Sequence, residues 1–344
     1  MNGRVLDRRG WLDDASEARR PLLLPLRALY MLGARAVHAL YDAKLLPQER
    51  APLPVVSVGS LAFGGSGKTP VSRWLARRLA ARGWNVAVLL RGYRGQGGSE
   101  SRVVDPQHLD PTRDGDEACL LAATVPEAIV IAGANRSASA RLAQRLGANV
   151  AILDDGHQHR RLSRTLDVLL WDRRQAEAAA AFPPALREPS SGAARAGLVL
   201  RIDRGEGAPP VPGGMASQVR IAGARLVSGG GEGLTRGARV HALSGIAHPA
   251  SFERSLAARG LVVTGATRYP DHHAFRRAEI DAAAAHAQEE GAGSLAVTAK
   301  DFARSAALLR ECSLPVAIFD LHVEVEEEDA VLDLIERRLR ASPA

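Results

Sequence analysis

A glycine-rich segment between an apolar strand and a helix-forming segment constrains the fold of this 344-residue chain more than any other feature. An apolar, β-branched run at 55–58 leads into a turn that ends in Gly67-Lys68-Thr69, and a helix-forming segment follows at 71–81. Strand, glycine-rich loop and helix in this order are typical of a phosphate-binding loop, in which backbone N–H groups surround an anion at the helix N-terminus. The chain is therefore predicted to bind a nucleoside triphosphate.

Two side chains of this loop suit the chemistry of a triphosphate. Lys68 can reach the β- and γ-phosphates, and the Thr69 hydroxyl can hold Mg²⁺. The strict pattern has glycine five residues before Gly67, where this chain has Ala62. A glycine-rich β-turn with a surface lysine is the alternative. The residues expected to contact the nucleotide are Gly64, Gly65, Ser66, Gly67, Lys68 and Thr69.

Composition limits the classes of protein to which the chain can belong. Hydrophobic residues make up 46% and aromatic residues 4%, which suits an Ala/Leu/Val-rich α/β protein and not a disordered one. The net charge of +7 favours anionic partners, but no basic motif interleaved with aromatic residues occurs, so nucleic acid is not expected. Cys119 and Cys312 lack metal-ligand spacing and form no disulfide framework, which indicates a reducing, cytosolic compartment.

The N-terminal 48 residues are predicted to contain a cationic amphipathic helix and no signal peptide. The apolar segment 21–41 is interrupted by Arg27 and Arg35, so a membrane-spanning helix is not expected. The apolar face carries Leu29, Leu32, Ala36, Val37 and Leu40, and the polar face carries Arg27, Arg35, His38 and Asp42. Such a helix can lie in a membrane interface or pack its apolar face on the protein, and the pattern alone leaves both open.

Apolar β-rich runs alternate with helix-forming segments along the rest of the chain. This alternation predicts an α/β fold, a P-loop NTPase-like parallel sheet with helices on both faces, followed by a second, smaller α/β domain. Function is expected at the carboxyl ends of the strands. The predicted strands are 55–58, 86–90, 128–132, 150–153, 166–171, 197–200, 240–243, 262–264, 295–298 and 316–319, and the later helices are 137–146, 251–259, 277–289 and 328–339.

A stretch rich in glycine and proline at 203–233 indicates a domain boundary with some irregular β structure. The predicted organisation is an N-terminal amphipathic segment (1–48), a nucleotide-binding domain (49–215), a linker (216–235), a smaller α/β domain (236–325) and a C-terminal helix (326–344).

Asp154 and Asp155 directly follow the apolar strand at 150–153. A strand that ends in two carboxylates is the usual partner of a phosphate-binding loop, because one acid completes the Mg²⁺ coordination and the other orients a second group. A strand-terminal Asp-Gly turn is the alternative. His157 and His159 lie close in sequence, but no cysteine or distant ligand completes a zinc site with them.

Two further clusters contain groups that can transfer protons. Asp116 and Glu117 precede a helix predicted to begin near Ala118, where carboxylates often only stabilise the helix start. His272, next to Asp271, follows the strand at 262–264, and an imidazole beside a carboxylate can relay a proton from an acceptor hydroxyl. A turn with solvent-facing histidines explains this second pattern as well, so the local sequence leaves both roles open.

Together these motifs resemble one family, the tetraacyldisaccharide 4′-kinases, which are the lipid A 4′-kinases of Gram-negative bacteria. The resemblance covers nearly the whole chain, and its most specific element is Asp-Asp-Gly-x-Gln-His combined with Arg-Glu-Pro and the nonstandard phosphate-binding loop. The strings that carry it are Val58–Leu61, Gly64–Thr69, Arg91–Tyr93, Gly115–Glu117, Leu153–His159, Leu186–Pro189, Ser244–Ile246, Pro270–His272 and Thr298–Asp301.

The resemblance implies transfer of the ATP γ-phosphoryl group to the 4′-hydroxyl of an acylated glucosamine disaccharide 1-phosphate, which gives lipid IVA. It implies ATP and Mg²⁺ as cofactors, a monomer, and a location at the cytoplasmic face of the bacterial inner membrane, contacted through the N-terminal helix. Asp116 and His272 would form the base dyad across the two domains, which suggests closure over ATP. Arg187 would neutralise phosphate charge. The implied metal-binding residues are Thr69, Asp154, Asp155 and Glu117, and the implied substrate-binding residues are Arg91, Tyr93, Gln158 and His159.

Four departures from the usual strings of the family affect loops on the acceptor side. They are Ser60 for asparagine, Asn135 for aspartate, Ala185 for glycine and Ala299 for proline. None removes a phosphate, metal or base group. Two other functions stay open, a membrane-docked P-loop ATPase or GTPase switch without a lipid substrate, and a non-catalytic nucleotide-binding scaffold, against which Lys68, Thr69 and the paired aspartates argue.

Overall fold

The computed structural model describes residues 25, 28–62, 67–92, 100–180, 186–203, 207, 209–211, 220–230, 234–246, 248–271 and 273–342. The strands are β1 (Val55–Gly59), β2 (Val86–Leu90), β3 (Arg102–Val103), β4 (Ala128–Ala132), β5 (Val150–Asp154), β6 (Leu166–Trp171), β7 (Leu198–Asp203), β8 (Arg220–Gly230), β9 (Arg239–Ser244), β10 (Val262–Arg268), β11 (Ser294–Thr298) and β12 (Val316–Val325). The helices are α1 (residues 28–42), α2 (Lys68–Ala81), α3 (Pro111–Asp114), α4 (Asp116–Thr124), α5 (Arg136–Arg145), α6 (Arg173–Ala180), α7 (Pro249–Ala258), α8 (Arg277–Glu289), α9 (Ala299–Arg310) and α10 (Glu328–Arg340), with a 3-10 turn at Ser190–Arg195.

One continuous sheet contains these strands in the order β10-β9-β11-β12-β8-β7-β6-β1-β5-β2-β4-β3. Neighbours are parallel except for the pairs β3–β4 and β8–β12, which are antiparallel. We call β1 to β7 the N-terminal half and β9 to β12 the C-terminal half. This arrangement confirms the predicted α/β fold, with seven mostly parallel strands in the N-terminal half and four parallel strands in the smaller C-terminal half.

The strands at the centre of the N-terminal half are buried on both faces, as expected for parallel strands covered by helices. In β1, Val56 and Val58 face a core formed with α2, α4 and α10, whereas Val55 faces a second core formed with α5. Because side chains alternate along a strand, the valines of one short strand supply both cores. Because these strands are parallel, their carboxyl ends lie at the same edge of the sheet, where α2 begins.

Helix α10 brings the C-terminal end of the chain back to the N-terminal half. The indole N–H groups of Trp74 and Trp84 donate to Glu328 and Glu336, each at 2.8 Å. Arg82 pairs with three carboxylates of α10 on the same side. Acidic residues lie in the first turn of α10 and basic residues in the last, as the helix dipole favours.

Strand β8 connects the two halves. Its residues 220–225 pair in parallel with β7, and its residues 224–230 pair in antiparallel fashion with β12. Helices α7 to α9 cover the C-terminal half, with separate apolar cores around Leu243 and Val240. The strand lies within the Gly/Pro-rich stretch 203–233, for which a domain boundary with irregular β structure is predicted.

Helix α1 lies on the surface with its apolar side chains facing outward. Leu29 and Leu32 are 66% and 65% exposed, and Val37 and Leu40 are exposed as well, whereas Met31 is buried. The opposite face contacts the protein. Within the described part of the chain, no helix combines the length and apolarity that crossing a bilayer requires.

Candidate active site

The N-terminus of α2 presents the last part of the phosphate-binding loop. Gly67 has a φ of 85°, in the left-handed region, and α2 begins directly after it at Lys68. Glycine adopts this conformation without the strain that a Cβ atom would add. Backbone N–H groups at such a helix start favour an anion. Gly64, Gly65 and Ser66 lie outside the described residues, so their contacts with phosphates stay predictions.

Parallel pairing of β1 and β5 brings Asp154 to this loop. Val58 lies opposite Asp154 in the register of the two strands. The Thr69 hydroxyl donates to Asp154 Oδ2 at 3.1 Å, and the Ser72 hydroxyl donates to Oδ1 at 2.8 Å. Thr69 and Ser72 lie three residues apart, so they share the face of α2 that points to β5. The structure therefore brings together the predicted metal ligands Thr69 and Asp154.

Asp154 lies in a concentration of negative charge. Burial raises the pKa of Asp154, and Glu117 and Asp155 raise it further, whereas the Ser72 hydroxyl and the Lys68 ammonium oppose this change. A divalent cation would stabilise such a set of carboxylates, and Mg²⁺ prefers oxygen ligands.

No group of three or more His, Cys, Asp or Glu side chains among the residues described by the structure is arranged to hold a metal ion. Mg²⁺ in kinases is held by one or two carboxylates together with phosphate oxygens. Thr69 and Asp154, with Glu117 and Asp155 nearby, therefore fit a Mg²⁺ ion that is shared with a nucleotide.

Asp155 holds two cations at the edge of the sheet. Lys68 Nζ lies 3.6 Å from Asp155 Oδ1, and Arg187 Nη1 donates to both carboxylate oxygens at 2.8 Å. Although burial opposes ionisation, the charges of Lys68 and Arg187 hold the pKa of Asp155 below its usual range. The predicted phosphate-binding residues Lys68 and Arg187 thus converge on one carboxylate from separate segments of the chain.

Glu188 is a fully buried carboxylate next to this cluster. Its Oε1 accepts from Gln158 Nε2 at 2.8 Å, and its Oε2 accepts from Arg195 Nη2 at 2.6 Å. His38 Nε2 on α1 lies 3.1 Å from Oε2. Gln158 also donates to the Ser60 carbonyl at 2.9 Å. Gln158 therefore fixes the turn after β1 to Glu188, and its contact with a substrate stays a prediction.

Asp116 lies at the start of α4, which packs against α9 of the C-terminal half. The structure places Asp116 and Glu117 in the first turn of α4, two residues earlier than the helix start predicted at Ala118. Asp116 Oδ2 accepts from Nε of Arg304, which extends from α9 in the C-terminal half. His272 lies outside the described residues, so the proposed dyad of Asp116 and His272 stays a prediction.

The predicted substrate-binding residues Arg91 and His159 lie near a buried cation. Burial lowers the pKa of Arg136 to about 10, Asp154 opposes this change, and Arg91 adds to it. Burial, followed by the charges of Arg136 and other arginines, lowers the pKa of His159 to about 4. His159 is therefore neutral at pH 7 beside several positive charges. Tyr93 lies outside the described residues.

The sequence-based predictions give no role to several residues of this site, including Ser72, Arg136 and Arg304. Ser72 could have been found from its spacing of three residues after Thr69, and Arg304 from its spacing of three residues after Asp301, since both spacings place side chains on one helix face. No local pattern identifies Arg136, because its lowered pKa results from its burial in the folded chain.

The chain matches a protein-family model described as tetraacyldisaccharide-1-P 4′-kinase over residues 19–340. It is 42% identical over 328 residues to the tetraacyldisaccharide 4′-kinase of Anaeromyxobacter sp. (strain Fw109-5), with 88% of each chain covered. It is 36% identical over 333 residues to the protein of the same name from Pelobacter propionicus, with 93% of this chain and 92% of the relative covered.

The comparison with a solved structure supports the same family assignment. The crystal structure of the "apo" form of LpxK from Aquifex aeolicus, in complex with ATP, superimposes with a TM-score of 0.74 and 27% sequence identity. The match covers 93% of this chain and 99% of that one. The family match confirms the resemblance inferred from the motifs and does not favour a nucleotide-dependent switch. The chain therefore belongs to the tetraacyldisaccharide 4′-kinase family.

Proposed function

We propose that this chain transfers the γ-phosphoryl group of ATP to the 4′-hydroxyl of tetraacyldisaccharide 1-phosphate, forming lipid IVA for lipid A. The observation that carries the proposal is the convergence of Lys68, Thr69 and Asp154 at the start of α2, with Arg187 held at Asp155 beside them. Membership of a kinase family and similarity to an ATP-bound structure support the same reaction.

The residues near α2 would bind and orient the triphosphate. Lys68 and Arg187 supply positive charge for the β- and γ-phosphates, and the N-terminus of α2 adds its partial charge. Mg²⁺, when bound by Thr69 and Asp154 with Asp155 or Glu117 nearby, would neutralise charge that develops on the transferred group. Gly64, Gly65, Ser66 and Gly67 would surround the phosphates through their backbone N–H groups.

Asp116 would act as the general base. As the 4′-oxygen attacks the γ-phosphorus, its O–H bond breaks and the proton passes to the Asp116 carboxylate, while the bond between the γ-phosphorus and the ADP oxygen breaks. His272 would orient or charge Asp116 during this step. The domain at 49–215 would thus hold the nucleotide, and the domain at 236–325 would contribute His272.

Helix α1 would bind the cytoplasmic face of the inner membrane. Its exposed leucine and valine side chains form an apolar stripe, and Arg35 and Lys44 are exposed on the same segment. Such a helix lies in the interface with its apolar face among the acyl chains. The lipid acceptor would therefore reach the site from the membrane surface, with the enzyme acting as a monomer.

Transfer of labelled phosphate from ATP to tetraacyldisaccharide 1-phosphate, in detergent with Mg²⁺, tests the reaction. Wild-type protein is expected to give a labelled bisphosphorylated lipid, and Lys68→Ala is expected to give none. Release of free phosphate without labelled lipid would instead support the membrane-docked switch and overturn the kinase proposal.

Sedimentation with vesicles that contain anionic lipid tests the role of α1. The double variant Leu29→Ser, Leu32→Ser is expected to bind these vesicles more weakly, because it loses apolar side chains of the membrane-facing stripe. Its free energy of unfolding is expected to stay unchanged, because both side chains are largely exposed. Val262→Ser is the matched control, since Val262 is an exposed apolar residue elsewhere. Equal vesicle binding by all three proteins would exclude α1 as the membrane contact.

A further inference from the structure

Arg304 on α9, in the C-terminal half, contacts the predicted base at the start of α4. Its side chain is only 2% exposed, and its Nε donates to Asp116 Oδ2 at the start of α4. The same guanidinium donates from Nη1 to the Gly245 carbonyl at 3.0 Å and to Asp301 Oδ1 at 3.1 Å. One buried cation therefore contacts both Gly245 and Asp301 of the C-terminal half and Asp116 of the N-terminal half.

Asp301 fixes the guanidinium on the side of the C-terminal half. The Asp301 carboxylate is fully buried, and its Oδ1 accepts from the Gly245 N–H at 3.1 Å. Its Oδ2 accepts from the Thr298 hydroxyl at 2.7 Å, and Thr298 in turn caps the start of α9. Because Asp301 is held by groups of its own half, Arg304 has a fixed position relative to β9 and α9.

A second buried ion pair also joins the two halves, away from Asp116. Arg73 on α2 is 5% exposed, and it pairs with Asp320 on β12 and donates to the Leu321 carbonyl. The two pairs are similar in burial and in the halves they connect. They differ because only the pair of Arg304 contains the carboxylate predicted to accept the proton. The effect of each pair on turnover therefore separates positioning from stabilisation.

We propose that Arg304 is a positioning residue for phosphoryl transfer, which holds the plane of the Asp116 carboxylate toward the acceptor hydroxyl. This inference rests on the proposed function, in which Asp116 is the base. A carboxylate whose Oδ2 accepts from a fixed guanidinium has a defined orientation for accepting a proton. Arg304 itself gives or takes no proton in the step. Arg304 contributes by fixing the orientation of the Asp116 carboxylate, because small displacements of a catalytic group have large effects on rate.

Replacement of Arg304 tests this role when turnover and binding are measured separately. Arg304→Gln is expected to lower kcat about 100-fold and to leave the KM for ATP within about twofold, because ATP is bound elsewhere. Arg304→Lys keeps the charge without the planar fork and is expected to recover part of the lost rate. Asp320→Asn is the matched control, expected to weaken the fold in urea while kcat stays within about twofold.

A double-mutant cycle with Asp116→Ala shows whether Arg304 acts through the base. Once Asp116 is absent, Arg304→Gln is expected to change the residual turnover by less than about twofold. Equal losses in both backgrounds, or an equal loss from Asp320→Asn, would mean that Arg304 only stabilises the interface. Normal kcat in Arg304→Gln beside an inactive Asp116→Ala overturns this inference alone. Normal turnover in Asp116→Ala overturns the base assignment as well.

Discussion

The proposed phosphate end and the proposed acceptor end of the site are built in different ways. At the phosphate end, Lys68, Thr69 and Asp154 come from adjacent elements of the N-terminal half, and the parallel register of β1 and β5 places them together. At the acceptor end, Asp116 contacts Arg304, which lies 188 residues later in the chain and in the other half. The first arrangement depends on local motifs, whereas the second depends on how the two halves pack.

Loss of Lys68 is expected to lower the rate of phosphoryl transfer more than any other change, which would assign Lys68 to the phosphate end. Lys68→Ala removes a charge that converges with Arg187 on Asp155, so transfer to the lipid should fall by about 1,000-fold or more. Arg78→Ala, on the same helix and half exposed, is the control and should retain activity. Comparable activity of the two variants in the labelled-ATP assay would contradict the assignment of Lys68.

Loss of Asp116 should affect chemistry and leave nucleotide binding intact, which separates the two ends. Asp116→Asn is expected to reduce kcat by about 100-fold to 1,000-fold while the Kd for ATP stays unchanged, since the phosphates are proposed to bind at α2. Turnover is measured with labelled ATP and binding by calorimetry. A weaker Kd for ATP with a normal kcat would assign Asp116 to the nucleotide instead.

The same substitution at one glycine of each end should reveal how tightly each end is packed. A Cβ atom at Gly59 would lie 2.5 Å from His157 Cβ, whereas one at Gly245 would lie 3.2 Å from the His273 carbonyl oxygen. Gly59→Ala is therefore expected to lower the free energy of unfolding by about 2–3 kcal/mol, and Gly245→Ala by about 1 kcal/mol or less. Urea titration of both variants measures the loss of unfolding free energy in each. Equal losses would mean that the two ends are packed equally tightly.

The smallest expected effect concerns the pH dependence of stability at the phosphate end. Burial and nearby arginines lower the pKa of His159 from 6.5 to about 4, so the unfolded chain binds a proton in this interval that the folded chain does not. The free energy of unfolding should therefore fall as the pH drops from 6.5 toward 4. His159→Gln should show a shallower fall in urea titrations at pH 7 and pH 5. An unchanged slope would mean that His159 is protonated in the folded protein.

Much of the fold follows from the sequence because several strands are uninterrupted apolar runs. The predicted bounds of β4, β6 and α8 are those observed, since each is delimited by polar or turn residues. The antiparallel pairing of β8 with β12 could not be predicted, because register between distant strands is not encoded in a local pattern. The Gly/Pro-rich composition around β8 also conceals an 11-residue strand.

In the candidate site, too, the residues within local motifs could be predicted, whereas contacts between distant segments could not. Thr69, Asp154 and Asp155 could be predicted because a strand or loop of fixed chemistry surrounds each of them in sequence. The ion pair between Asp116 and Arg304 could not, because it forms only when α4 packs against α9. Arg136 likewise gives no sequence signal, since its lowered pKa arises from burial in the folded chain.

Strand β8 has a mechanical consequence for this kinase. Residues 224 and 225 of β8 pair with β7 on one side and with β12 on the other, so the two halves share an unbroken ladder at this point. A flexible linker would allow the halves to swing freely, but a strand paired on both edges resists sliding, because slippage breaks hydrogen bonds on both sides. The shared strand therefore limits how far the C-terminal half, which carries Arg304, can move relative to the N-terminal half, which carries Asp116.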